Sequence, residues 1–174
     1  MTKPTESAVI VAVPAAEVAV REHRRQFDTS AAWGVPAHVT VLYPFVPPAH
    51  ISADVRTALS NAVATVARFS ASWNTTSWFD EDVLWLAPEP AASFRALTTV
   101  VARAFPDYPP YRGTFQDVLP HLTLAHNGSP EELRAVEREV VAHLPISMEV
   151  THVQLICGTA SPDSWHVIGE LPLA

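Results

Sequence analysis

Apolar residues follow two rhythms along this chain. Short runs at residues 7–13, 38–45, 69–73, 83–86, 121–125 and 165–171 are rich in valine, leucine, threonine or aromatics and are bounded by proline, glycine or polar turns, which predicts strands. Between them, apolar side chains recur at helical spacing. Residues 15–27 form an alanine- and arginine-rich helix. Ile51, Val55, Leu59, Ala62, Val63 and Val66 mark a second, with Ser52 or His50 at its cap, and Phe94, Leu97, Val101 and Ala104 mark a third. A fourth carries Leu133, Val136 and Val140 behind Ser129-Pro130-Glu131-Glu132, a helix start with proline in the first turn. The Pro/Tyr/Gly-rich residues 106–113 read as loop.

Near the C-terminus, Ile146, Met148 and Val150 alternate with polar residues, and then Val153, Leu155 and Cys157 take over in the other phase. The slip at Thr151-His152 marks a bulge or the join of two strand segments. The order predicts an α+β protein, one domain spanning residues 1–174 and built of two related lobes.

The lobes share a motif. Residues 38–41 read His-Val-Thr-Val and residues 121–124 read His-Leu-Thr-Leu, each with a proline just upstream (Pro36, Pro120). A histidine and a threonine two apart on a strand point to one face. Two such strands can offer His38, Thr40, His121 and Thr123 to one concave surface. With 8 histidines and the Ser and Thr content of this chain, about one H-x-[ST] is expected by chance. The third instance, His50-Ile51-Ser52, lacks the apolar flanks and reads as capping chemistry. The shared proline, histidine, apolar, threonine, apolar pattern sets the other two apart.

Composition narrows the rest. With 174 residues and 48% apolar content the chain can bury a proper core, and no apolar run is long enough to span a membrane. No signal peptide is visible, and the single cysteine, Cys157, permits no intrachain disulfide, so a cytoplasmic monomer is expected. A formal charge of −7 argues against a DNA binder or a holder of long nucleic acid.

Competing chemistries find little support. No H-E-x-x-H, cysteine cluster or two-histidine, one-carboxylate spacing appears, so neither a metal nor a cofactor is expected. Asp80-Glu81-Asp82 reads as a solvated turn, and no G-x-S-x-G, P-loop or dinucleotide fingerprint is present. His23, His126, His143, His152 and His166 belong to no motif; an odd offset from His121 sends His126 to the opposite sheet face if the strand is regular, and the same rule sends Tyr43 to the helix side. Trp33, Tyr111 and Phe115 precede the motif strands and are candidates to line a cleft and stack on a base, with Arg112 a candidate cation for a second phosphate.

Two imidazoles near pH 7 suit the opening of a 2′,3′-cyclic phosphodiester. One deprotonates water, the other protonates the leaving oxygen, and either histidine can take either role. Threonine hydroxyls can donate to the non-bridging oxygens. The ring is already strained, so no metal is needed.

The paired motifs, with residues 35–45, 83–88 and 117–124 around them, resemble the 2H phosphoesterase superfamily and its bacterial 2′-5′ RNA ligase-like branch. The resemblance implies a bilobal fold of two antiparallel sheets with outer helices and a central cleft, each lobe donating one motif. It implies His38 and His121 as catalytic residues and Thr40 and Thr123 as phosphate-binding ones. The expected activity is that of a cyclic phosphodiesterase, a hydrolase of 2′,3′-cyclic phosphate or 2′-5′-linked nucleotides or RNA ends, with RNA ligation as a further activity. The alternative is a module that binds a phosphorylated ligand or RNA end in the same cleft without turnover.

Overall fold

The computed structural model describes residues 3–174. Two four-stranded antiparallel sheets carry the chain. One has the order β2-β1-β7-β8, the other β5-β4-β3-β6. The first is built from β1 (Glu6–Ala12), β2 (His38–Leu42), β7 (His152–Gly158) and β8 (His166–Pro172). The second is built from β3 (Phe69–Phe79), β4 (Val83–Glu89), β5 (Leu122–Ala125) and β6 (Ile146–Val150). The slip read at Thr151 is thus the crossing from one sheet to the other, since β6 and β7 flank that residue in different sheets.

The helices are α1 (Glu17–Phe27), α2 (Thr29–Ala32), α3 (Ala53–Val63), α4 (Ala91–Ala104) and α5 (Pro130–Val141). Their starts follow the sequence. Ser52 caps α3 by accepting from Val55 N at 3.3 Å, and Ser129 and Glu132 form a reciprocal capping box at α5. The four-residue α2 was not legible from periodicity; the Asp28 side chain caps it. Asp80, Glu81 and Asp82 form the exposed turn between β3 and β4, and β3 runs on to Phe79, six residues past its predicted end.

Both motif strands lie at sheet edges: β2 is the outer strand of one sheet, β5 of the other, and the two are in contact. Each rests on a helix from the other half of the chain, β2 on α4 and β5 on α1. The main core joins Val39 and Val41 of β2, Leu122 and Leu124 of β5, Phe27 of α1 and Phe94, Leu97 and Val101 of α4. On the opposite face of the first sheet, Ala8, Ile10 and Ile156 pack with Val35 and Trp165.

A bulge follows the threonine in each motif strand. Val9 and Ile10 pair with Leu42 and Thr40, leaving Val41 extra; Leu84 and Trp85 pair with Ala125 and Thr123, leaving Leu124 extra. Two successive residues therefore turn to the core, and the phase inverts beyond them. Tyr43, expected on the helix side, instead packs with Ala8 and Ile10 on the other face. The strand ends at Leu42, short of the expected Phe45.

Trp165 lies across Gly158 of β7, with its indole Nε1 donating to Thr159 O at 3.0 Å. A Cβ at position 158 would sit 2.8 Å from Trp165 Cα. Gly158→Ala should therefore cost about 1–3 kcal/mol in urea unfolding, the range for overpacking a tight contact.

Candidate active site

The motif residues occupy equivalent places. His38 opens β2 opposite Ala12, and Thr40 stands opposite Ile10. His121 immediately precedes β5, in which Thr123 stands opposite Trp85. In both strands the histidine and threonine are half-buried while the residues between and after them are buried. One face of each strand thus belongs to the core, and the other carries the polar pair.

Each imidazole is held the same way. His38 Nδ1 lies 2.7 Å from Pro36 O and His121 Nδ1 lies 2.7 Å from Leu119 O. A carbonyl only accepts, so Nδ1 carries the proton and Nε2 remains as the reactive nitrogen. The prolines contribute to this geometry, because a residue before proline is confined to extended backbone: Val35 before Pro36, Leu119 before Pro120.

The surroundings differ. His121 meets Phe79 edge-on at 5.0 Å between ring centroids and Trp85 at 5.9 Å, while Phe79 and Trp85 stack at 4.7 Å. Burial in this aromatic nest lowers the His121 pKa below its ordinary 6.5, and the bond to Leu119 O only partly offsets that. Burial pushes His38 down to about 4, and the Arg24 guanidinium and the His121 imidazole push the same way. Both motif imidazoles are neutral at pH 7 in the free protein, which departs from the expectation of two imidazoles titrating near 7.

Beside His38, Arg24 Nη2 lies 2.9 Å from Asp28 Oδ2, and Arg24 Nη1 donates to Val35 O at 3.2 Å. Burial raises the Asp28 pKa, but hydrogen bonding from His126 and the Arg24 charge outweigh this and leave it at about 2. His126, expected on the opposite sheet face, is redirected by the bulge at Leu124. Its Nε2 lies 3.2 Å from Thr29 N and 3.4 Å from Asp28 Oδ1: without a proton it accepts from Thr29 N, and with one it donates to Asp28.

The substrate-lining candidates separate. Tyr111 comes nearest the site: burial raises its hydroxyl pKa, the neighbouring Thr40 hydroxyl works against that rise, and its backbone N donates to Tyr43 O at 2.7 Å. Phe115 packs edge-on against Tyr111 at 5.6 Å and is 59% exposed. Trp33 packs against the Ala8, Ile10 and Trp165 cluster, on the face of the first sheet that carries His38 and Thr40. Arg112 is exposed and lines a depression with Glu6, Phe45 and Asp107.

Of the other histidines, His23 pairs with Glu139 at 3.4 Å, His152 contacts Thr151, and His166 Nε2 lies 3.6 Å from Cys157 Sγ. Among the described residues, no three His, Cys, Asp or Glu side chains converge to hold a metal ion, and no helix is long and apolar enough to cross a membrane. Sequence reasoning missed Phe79, Trp85, Arg24 and Asp28, which carry no motif and meet the histidines only through the sheet pairing and the turn after α1.

This α+β fold of two antiparallel sheets has counterparts among solved structures. Escherichia coli LigT complexed with 3′-AMP superposes with a TM-score of 0.60 at 19% identity, covering 99% of each chain. The protein TT0787 of Thermus thermophilus gives 0.63 at 18%, over 96% of this chain and 97% of that one. A crystal structure described as a phosphoesterase gives 0.58 at 19%, over 98% and 99%. No curated protein sequence matches the chain. A model of the 2′-5′ RNA ligase superfamily matches residues 12–159, and the chain belongs to that family, a branch of the 2H phosphoesterases.

The lowered imidazole of His38 has a measurable consequence. A histidine kept neutral in the fold but free to charge in the unfolded chain stabilises the protein fully above pH 6.5, and that contribution is lost as pH falls from 6.5 toward about 4. Thermal midpoints should fall across this window, and His38→Asn should flatten the fall. An equally steep fall in the variant would show that other groups drive it.

Proposed function

We propose that this chain is a metal-independent phosphoesterase that hydrolyses 2′,3′-cyclic phosphates or 2′-5′-linked nucleotide or RNA ends, with His38 and His121 as acid and base. It works as one domain of two pseudo-symmetric lobes, each supplying one motif. The observation that carries the reading is the duplicated arrangement of strand-edge histidines, each with Nδ1 tied to a carbonyl two residues upstream. That bond leaves one Nε2 per sheet for proton transfer. The nucleotides bound by E. coli LigT, 3′-AMP and ATP among them, support a small nucleotide as the ligand.

In the reaction, one neutral imidazole takes a proton from water as its oxygen bonds to phosphorus. The other, protonated, gives its proton to the ribose oxygen as the P–O bond of the ring breaks, and a nucleoside monophosphate leaves. Thr40 and Thr123 donate to the non-bridging oxygens, where charge gathers. Tyr111 borders the Thr40 side and approaches the substrate there. A 5′-hydroxyl in place of water, attacking with the 3′ oxygen leaving, forms a 2′-5′ linkage, which is the ligase direction.

Neutral resting imidazoles give the mechanism a distinct pH signature. A cyclic phosphate brings a negative charge that raises both pKa values, so the acid partner acquires its proton with the substrate. Free protein governs kcat/KM, so that profile should be a bell whose maximum lies on the acid side of pH 6.5, since burial lowers both imidazoles below it. The kcat profile, governed by the complex, should be displaced to higher pH. Identical profiles for the two parameters would contradict this coupling.

Incubation with 2′,3′-cyclic AMP in EDTA, followed by separation of nucleoside monophosphates, tests the activity itself. His38→Ala and His121→Ala should each lower turnover at least about a hundredfold, the low end for losing a positioned acid or base. Thr40→Val and Thr123→Val should lose about 10- to 1,000-fold. Near wild-type turnover in either alanine variant would remove that histidine from the mechanism. Nucleotide binding without any product would make the cleft a binding module.

A further inference from the structure

One buried carboxylate touches the supports of both motif strands. Asp28 is 4% exposed and Arg24 3%. Asp28 Oδ2 accepts from Arg24 Nε at 3.0 Å, and Arg24 in turn donates to Val35 O, next to the Pro36 whose carbonyl holds His38. On its other side, Asp28 Oδ1 lies 3.4 Å from His126 Nε2, three residues past Thr123. The backbone repeats the tie: His126 N and Asn127 N both donate to Phe27 O, at 2.8 and 3.0 Å, and Asn127 Nδ2 donates to Thr29 Oγ1 at 2.6 Å. Stability alone accounts poorly for such an arrangement. Replacing a buried ion pair by well-packed apolar residues is often neutral or stabilising, so retained buried charge asks for another reason.

We propose that Asp28 is a positioning residue for the His38–His121 pair: through Arg24 it fixes the lead into β2, through His126 it fixes the exit of β5, and it balances the Arg24 charge beside His38. The inference rests on the reading of these two histidines as the acid–base pair. The charged and titratable groups around His38 are few and named. Arg24 and Asp28 approach from the end of α1, His121 from β5, and Glu17 bonds the adjacent Ala37 N at 2.8 Å. Of these, Arg24 and Asp28 alone form a buried pair of opposite sign. Removing either member should move the His38 titration in opposite directions, a signature that loss of packing does not produce.

Asp28→Asn keeps the side-chain shape and can still accept from Ser30 N, as Asp28 Oδ1 does at 3.0 Å. It should lower the pH at which His38 titrates by NMR, and lower kcat on 2′,3′-cyclic AMP by about 10- to 100-fold, the cost of a small misplacement, with KM within about threefold. Arg24→Gln should raise the His38 titration, and the double variant should return it toward wild type. A His38 titration unmoved in both single variants would reduce Asp28 to a structural residue and overturn the proposal. Should neither buried variant fold, His126→Ala, at a side chain 34% exposed, still breaks the β5 arm. It should lower kcat about tenfold, and wild-type kcat there would overturn the proposal as well. The titration needs no turnover. A wild-type protein inactive on the cyclic nucleotide therefore defeats the phosphodiesterase reading alone, and wild-type activity with unmoved titrations defeats this inference alone.

Discussion

The geometry of the cleft depends on apolar burial exchanged between the two halves of the chain. An edge strand such as β2 or β5 has a free side and little to hold its position. Here each is seated on a helix from the opposite half: Val39 and Val41 on α4, Leu122 and Leu124 on α1. Thr98 of α4 adds a bond to Val41 O at 2.8 Å, and Phe27 at the end of α1 accepts from the residues that leave β5. Neither sheet can drift without exposing core side chains of the other. The gap between the motif strands is therefore a property of the core, and polar groups at its rim can be placed without a large buried network of their own.

The local chemistry of the histidines follows from two short-range effects. The carbonyl two residues upstream chooses the tautomer, and partial desolvation keeps the ring neutral. Together they make the resting site a pair of acceptors with few donors beyond the threonine and tyrosine hydroxyls. In the proposed function an arriving phosphate brings its own charge, so protonation and binding are coupled: each strengthens the other. The bulge after each threonine serves the same end. By turning Val41 with Leu42, and Leu124 with Ala125, into the core, it anchors the strand immediately behind the polar pair.

The parts of this arrangement that repeat were legible in the sequence. Both motif strands, the helix behind Ser129-Pro130, the phase slip at Thr151 and the acidic turn at Asp80 were all readable from period and turn chemistry, and the two-sheet α+β fold followed. Features created by one extra residue were not. Period-two reasoning carried Tyr43 and His126 to the wrong faces because a bulge inverts the phase, and nothing in Val41 or Leu124 announces one. Long-range neighbours were equally hidden: Phe79 and Trp85 reach His121 only through the pairing of β3, β4 and β5, and Arg24 was one of several arginines on an amphipathic helix. The lining partners of Arg112, Glu6, Phe45 and Asp107, were likewise set by the fold and not by sequence proximity.

The overall charge bears on what the proposed site can use. At −7, the protein repels an anion at long range, and at physiological ionic strength that field fades over about 8 Å. Capture must then come from groups within hydrogen-bond reach, with no steering from a basic surface. A polynucleotide needs many phosphate contacts spread along its backbone, each releasing counterions, and the acidic exterior offers no such track. A mononucleotide or a chain end needs one phosphate site and one wall for its base. In the proposed reading, the hydroxyls of Thr40 and Thr123 and the two Nε2 atoms supply the first, and the Phe79–Trp85 stack beside His121 supplies the second. Charge on the outside and donors on the inside thus agree with the ligand class of the proposed function, a terminal or cyclic phosphate presented singly.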